Sequence, residues 1–201
     1  MMNLAACFID IIINQGLKKY GGDLAIGAFG IVNRLVFIVV MIVMGLNQGM
    51  QPIAGYNFGA KLYGRVNKVL RLTIIYATAV TTFGFLVGML VPDLVVGIFT
   101  SDAELTELSV TGLRITVMFF PIIGFQMVTS NFFQSIGMAG KAIFLSLTRQ
   151  MLILLPCLLV LPQFFGVAGV WYSMPVSDLL ASLIALVMLV CQFRKFRTSP
   201  L

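Results

Sequence analysis

The chain has 201 residues, of which 60% are hydrophobic and only 10% are charged. A soluble domain of this length has too little interior to bury so much apolar surface, so an ordinary soluble fold is excluded and a membrane protein is indicated. The net charge of +6 is therefore interpreted as a topology signal and as attraction to anionic lipid, not as a sign of nucleic-acid binding.

Long apolar segments predict membrane-spanning helices, because about 20 apolar residues cross the hydrocarbon core of a bilayer. The second segment is too long for one perpendicular span, so we expect it to be tilted or kinked. The first begins almost at Met1, like a helix cut off at its start. The sequence thus predicts an all-α polytopic bundle of six transmembrane helices, at residues 3–16, 24–57, 69–91, 105–136, 142–161 and 168–193.

The distribution of lysine and arginine predicts the orientation of the bundle. With the C-terminus in the cytoplasm, nine basic residues lie at cytoplasmic ends and four at outer ends. The cytoplasmic group is Lys61, Arg65, Lys68, Arg71, Lys141, Arg149, Arg194, Lys195 and Arg197. The outer group is Lys18, Lys19, Arg34 and Arg114.

The residue types needed for covalent or metal chemistry are scarce. There is no histidine, and the three cysteines form no CxxC pair. Nucleotide-binding, serine-nucleophile and metal-ligand motifs are also missing. We therefore expect neither an enzyme nor a cofactor, and the polar residues inside the spans become the candidates for function.

Two acids lie inside predicted spans, where ionisable groups usually serve function. Asp178 is about ten residues into the sixth span, roughly 15 Å deep, and Pro175 precedes it by one turn. A proline frees a backbone carbonyl, so this place could bind a proton or Na⁺. The alternative is a carboxylate paired for packing. Asp10, in the first span, is the second candidate.

Intramembrane amides should face another helix or a water-filled cavity. Gln126 is the best cavity candidate because it follows Pro121, where the fourth span can bend, and Asn14 is a further one. Hydrogen bonds between helices are the alternative for each. In the second span, Gly49, Pro52 and Gly55 are expected to let the helix flex near its cytoplasmic end.

Three segments resemble transporters of the multidrug and toxic compound extrusion (MATE) family. They are GLNQGMQPIAGYNFGAKLYGRV at 45–66, FFQSIGMAGKAIFLSLTRQ at 132–150 and GVAGVWYSMPVSD at 166–178. The resemblance implies a twelve-helix antiporter of two lobes, which exports cationic or amphipathic compounds across the bacterial inner membrane in exchange for Na⁺ or H⁺. This chain would be the C-terminal lobe, with the N-terminal lobe missing.

The resemblance also implies that Asp178, Gln126 and Asn14 line one wall of a central cavity. It is incomplete in one respect. In one branch of the family, acids in helices seven and ten form a cation site in this lobe, and here no acid lies between Leu108 and Gln134.

Three other functions stay open at this point. A lipid-linked oligosaccharide flippase of the same superfamily should have a strongly basic cavity, and these spans carry little lysine or arginine at mid-membrane depth. A non-transporting fragment or membrane subunit is the second alternative. A membrane enzyme is the third, and the missing nucleophile, histidine and metal ligands argue against it.

Overall fold

The computed structural model describes the backbone from Met2 to Thr198 and the side chains of residues 8–193. This part of the chain consists of helices joined by short turns. A π-helical segment, Thr148–Leu154, lies between α6 and α7. The α-helices are α1 (Met2–Gly59), α2 (Tyr63–Leu90), α3 (Pro92–Gly97), α4 (Ala103–Val117), α5 (Phe120–Ser135), α6 (Ala139–Leu147), α7 (Leu155–Phe165) and α8 (Val167–Thr198).

Helix α1 is a hairpin of two arms, residues 2–21 and 23–59, that meet at Gly22. The backbone of Gly22 has φ 67° and ψ −161°, a conformation that is open essentially only to glycine. Ile9 and Val36 are 27 positions apart, which in a straight helix would separate them by about 40 Å, yet both line one cavity. The chain therefore folds back at Gly22, and the two arms correspond to the first and second predicted spans.

The fourth predicted span is broken into α4 and α5, which are bent by 55° across Met118 and Phe119. Pro121 lies in the first turn of α5, where its missing N–H removes no helical hydrogen bond. The bend thus falls beside the proline at which the sequence predicts it. Asp102 caps the other end of this span, where its side chain accepts a hydrogen bond from the Leu105 N–H.

The fifth span runs from Ala139 to Phe165 and is longer than predicted. Pro162 does not end it, because the helix continues through this residue for three more positions. The chain turns instead at Gly166, whose φ of 58° suits glycine. Gly169 then allows α8 to pack on α7, since a Cβ at this position would collide with the Leu161 carbonyl oxygen.

The glycine-rich segment 45–65 stays helical as far as Gly59, with Pro52 inside the helix on its exposed side. Gly55 has a packing role, because a Cβ at this position would lie 2.9 Å from the Ser135 carbonyl oxygen. Gln51 donates a hydrogen bond across the same interface to Asn131 Oδ1, at 3.3 Å. The end of α1 is thus fixed to the end of α5, and the flexibility of Gly49, Pro52 and Gly55 stays a prediction.

The core is divided into two apolar clusters. One joins α1, α4, α5 and α8 around Trp171. The Trp171 ring packs on Gly112, because a Cβ at this glycine would lie only 2.6 Å from the ring. The other joins α1, α2, α5, α6 and α8 around Phe132 and Phe133. Much of the remaining surface is apolar and exposed, with side chains such as Phe83 at 69% exposure, as expected of a bundle that faces lipid.

The predicted all-α membrane bundle is confirmed. By length and apolar composition, four helical runs of the described residues could cross a membrane, or five if α4 and α5 are counted as one bent span. The run Phe8–Gly59 counts once there, although it folds back at Gly22. Dividing it at that glycine accounts for all six predicted segments, while their limits relative to the bilayer stay a prediction.

Candidate functional site

A cavity of about 240 Å³ lies between both arms of α1, the α4–α5 bend, the π-helical segment and α8. Most of its wall is apolar. Its charged residues are Asp10, Asp178 and Arg149, and its polar ones are Asn33, Thr116, Gln150 and Ser177. The cavity therefore combines a largely apolar wall with a few polar groups, which is typical of a small-molecule site.

Asp178 and Arg149 form an ion pair at the cavity wall. The Nε and Nη2 atoms of Arg149 both lie 2.7 Å from Oδ1 of Asp178. Asp178 is buried, with 6% of its side chain exposed, whereas 35% of the Arg149 side chain is exposed. Both residues line the cavity, and the Arg149 side chain is the more exposed of the two.

The surrounding helix holds Asp178 in place through its own backbone. Ser177 donates a hydrogen bond to the Met174 carbonyl, and Ser182 donates one to the carbonyl of Asp178. Pro175 lies inside α8, one turn before the acid, and the helix continues through it. Buried hydroxyls in this stretch therefore bond to the helix backbone and leave the carboxylate to Arg149.

Arg149 reaches the cavity from the π-helical segment. Pro156 begins α7 just after this segment; it lacks an N–H and its ring collides with the carbonyl four residues earlier, so the preceding turn cannot keep regular α-helical hydrogen bonds. A π-helical turn is wider than an α-helical one, and such turns are frequent at functional sites. Arg149 and Gln150 both lie on this wider turn and line the cavity.

The position of Arg149 bears on the predicted topology. Asp178 lies 11 residues after the start of α8, about 16 Å along the helix. Arg149 contacts this carboxylate from 10 residues inside the helical run Ala139–Phe165, so it is not at the end of that run. The assignment of the basic residues to the cytoplasmic and outer sides stays a prediction.

The predicted site residues are separated into two groups. Asp178 and Asp10 line the same cavity, although they are far apart in sequence. Gln126 and Asn14 are not among the residues that line it in this structure, and their role stays a prediction. Gln126 is 3% exposed, and its Oε1 has no hydrogen-bond partner among the described residues. Asn14 is exposed.

Sequence reasoning missed Arg149 as a site residue. A usable signal was present, because a buried intramembrane acid needs a partner and Arg149 falls inside the fifth apolar segment. It also missed Asn47, which is 2% exposed and has no hydrogen-bond partner for either side-chain amide atom among the described residues. Within residues 8–193 no group of histidine, cysteine, aspartate and glutamate could hold a metal ion.

A second cavity, of about 230 Å³, lies between α1, α2, α3 and α4. Its lining is entirely apolar and contains Gly84 and Gly88 of α2. Val36 and Phe120 line both cavities, so these two side chains form the wall between them. The lobe therefore holds one charged and one uncharged cavity side by side.

This fold and this cavity define a polytopic helical membrane protein with a charged, largely apolar cavity inside its bundle. The MatE family model matches residues 1–159, and the chain belongs to this family. Members of the family are transporters and not enzymes.

Two relatives illustrate the similarity. The chain is 27% identical over 186 residues to the multidrug export protein MepA of Staphylococcus aureus (strain MSSA476), covering 92% of this chain and 41% of MepA. It also resembles the solved structure of the MATE multidrug transporter DinF-BH, with 36% identity and a TM-score of 0.85. That alignment covers 98% of this chain and 44% of DinF-BH.

The fold recurs at lower sequence identity. An outward-facing multidrug resistance MATE family transporter of the MOP superfamily superposes with a TM-score of 0.90 at 18% identity. The chain spans less than half the length of the relatives it matches.

Proposed function

We propose that this chain is the C-terminal lobe of a secondary multidrug antiporter, completed by an N-terminal lobe, that exports cationic or amphipathic compounds in exchange for Na⁺ or H⁺. The observation that carries the proposal is the cavity that Asp10 and Asp178 both line within a largely apolar wall. Carboxylates attract an organic cation, and the apolar wall accepts its ring or tail.

The composition of the cavity favours this function over transport of a lipid-linked oligosaccharide. A flippase for an anionic headgroup needs a strongly basic cavity, whereas this one is lined by two carboxylates and a single guanidinium. In the proposed mechanism the lobe forms one wall of a central site and rocks against the other lobe. The C-terminus lies in the bacterial cytoplasm, and the compound leaves on the outer side of the inner membrane.

A test of this function is Asp178→Asn in the complete two-lobe transporter. The substitution leaves the Arg149 charge without its counter-charge, so the cavity loses its net negative charge and resistance to the cationic dye ethidium should fall at least about tenfold. Resistance is measured in bacteria with matched surface expression. Asp93→Asn, on the exposed first turn of α3, is the matched control. Normal resistance in Asp178→Asn would remove this residue from the mechanism.

A further inference from the structure

We propose that Arg149 is the specificity-determining residue of the charged cavity that contacts the anionic group of a ligand, with Asp178 as its positioning residue. This inference rests on the proposed function, because it assigns a ligand-contacting residue to the same cavity. It adds an anion-binding group to a site that the two carboxylates alone would restrict to cations.

The geometry of the ion pair leaves most of the guanidinium uncommitted. The Nε and Nη2 atoms of Arg149 both lie 2.7 Å from Oδ1 of Asp178. In a bidentate pair, by contrast, each nitrogen contacts a different oxygen of the carboxylate. A guanidinium has five N–H donors, and residues 8–193 offer Arg149 no other hydrogen-bond acceptor or carboxylate partner in this structure. Donors therefore remain for a second anionic group.

The burial of the two partners determines which of them a ligand meets first. The Arg149 side chain is 35% exposed and lines the cavity, while the Asp178 side chain is 6% exposed. Asp178 thus acts as a positioning residue that neutralises and orients the arginine from behind. A ligand entering the cavity reaches the guanidinium before it reaches this carboxylate.

Asp10 supplies the opposite charge from another element. It lies on the first arm of α1, is exposed, and lines the same cavity as Arg149 on the π-helical segment. The cavity surface therefore presents one accessible carboxylate and one accessible guanidinium. Its charge complement is a molecule with an amine and a carboxylate or phosphate.

The apolar surroundings make these charges effective. Phe29, Phe120, Met127 and Met174 belong to the wall of the same cavity. Charged hydrogen bonds are stronger in such an environment than in water, and the planar guanidinium fits a carboxylate better than an ammonium does. An aromatic body between the two charged groups of a ligand would therefore contact apolar side chains.

The test uses two dyes that differ only in one acid group. Tetramethylrhodamine has a free carboxylate, and its methyl ester is a cation with the same ring system. Binding of each dye to the purified two-lobe transporter in lipid nanodiscs is measured by fluorescence polarisation. For Arg149→Gln we expect the affinity for the free acid to fall at least about tenfold, and the affinity for the ester to stay the same or rise.

Two further variants keep the result interpretable. The double variant Arg149→Gln with Asp178→Asn removes both charges, so it leaves no buried charge uncompensated and serves if the single variant fails to fold. The double variant should lose the preference for the free acid and still bind the ester. Arg114→Gln, on the exposed surface of α4 and outside the cavity lining, is the matched control and should behave like the unchanged protein.

Asp178→Asn gives an effect of opposite sign for the two dyes. Without its counter-charge the guanidinium should bind the free acid more tightly and repel the ester. Equal losses for both dyes in all Arg149 and Asp178 variants would show that the ion pair only supports the fold, and would overturn the inference. Absence of saturable binding of either dye to the unchanged protein would overturn the proposed function as well.

Discussion

The charged cavity and the apolar cavity share Val36 and Phe120 and have nearly the same volume, about 240 and 230 Å³. Their other walls differ because different helices supply them. The charged cavity receives the π-helical segment and α8, whereas the apolar cavity receives α2 and α3. Two neighbouring spaces in one bundle thus acquire different chemistry from the helices on either side of a common wall.

The two cavities should differ in the kind of substitution that each tolerates. In the charged cavity, an ion pair decides the structure of the wall, so loss of one charge should matter more than a change of side-chain volume. In the apolar cavity, helix α2 approaches α1 so closely that a Cβ on Gly84 would lie 2.9 Å from a methyl group of Val39. In the apolar cavity, the volume of a new side chain therefore decides whether a substitution is tolerated.

The largest effect is expected from Arg149→Met, which breaks the ion pair from one side. Leaving a buried charge unpaired costs roughly 3–5 kcal/mol, and the charge left behind here is the Asp178 carboxylate, whose side chain is only 6% exposed. We expect a large fall in the thermal unfolding midpoint of the purified protein. Adding Asp178→Leu should restore most of it, and an unchanged midpoint in Arg149→Met would contradict this view of the pair.

A comparable or smaller effect is expected from Phe120→Ala, which removes the wall between the cavities. Phe120 is 3% exposed, and large-to-small changes of a core phenylalanine cost about 3–5 kcal/mol, with the low end expected beside existing cavities. Phe132→Ala is the matched control, since Phe132 is fully buried but lines neither cavity. Both variants should lower the unfolding midpoint, but only Phe120→Ala should also improve binding of dyes with bulkier substituents. The same dye preference in both variants would contradict the common wall.

The helices could be predicted from the sequence because each depends on a local pattern. Apolar runs of sufficient length give the spans, and Pro121 marks the bend through its own backbone preference. The predicted fifth span stops at residue 161, whereas α7 continues through Pro162 to Phe165, and Gly169 of α8 packs against Leu161 there. That contact joins two helices and cannot be inferred from one segment.

The site was predicted only in part, for a similar reason. Asp178 and Asp10 are conspicuous as acids in apolar segments, and both line the cavity. The partner of Asp178 lies 29 positions earlier, on a π-helical turn whose extra width changes which side of the helix Arg149 occupies. Gln126 and Asn14 do not line this cavity, and their predicted role stays a prediction.

The smallest effect is expected at the end of α1, outside both cavities. Gln51→Ala removes the 3.3 Å hydrogen bond to Asn131 that joins α1 to α5, and a single neutral hydrogen bond contributes about 0.5–1.5 kcal/mol. The bond is long and half-buried, so a small decrease in the unfolding midpoint and no change in dye binding are expected. Gln48→Ala, an exposed amide on the same helix, is the matched control. A change in dye selectivity in Gln51→Ala alone would show that the amides of this segment contribute to the site, and the separation between ligand-binding cavity and structural helix end would then fail.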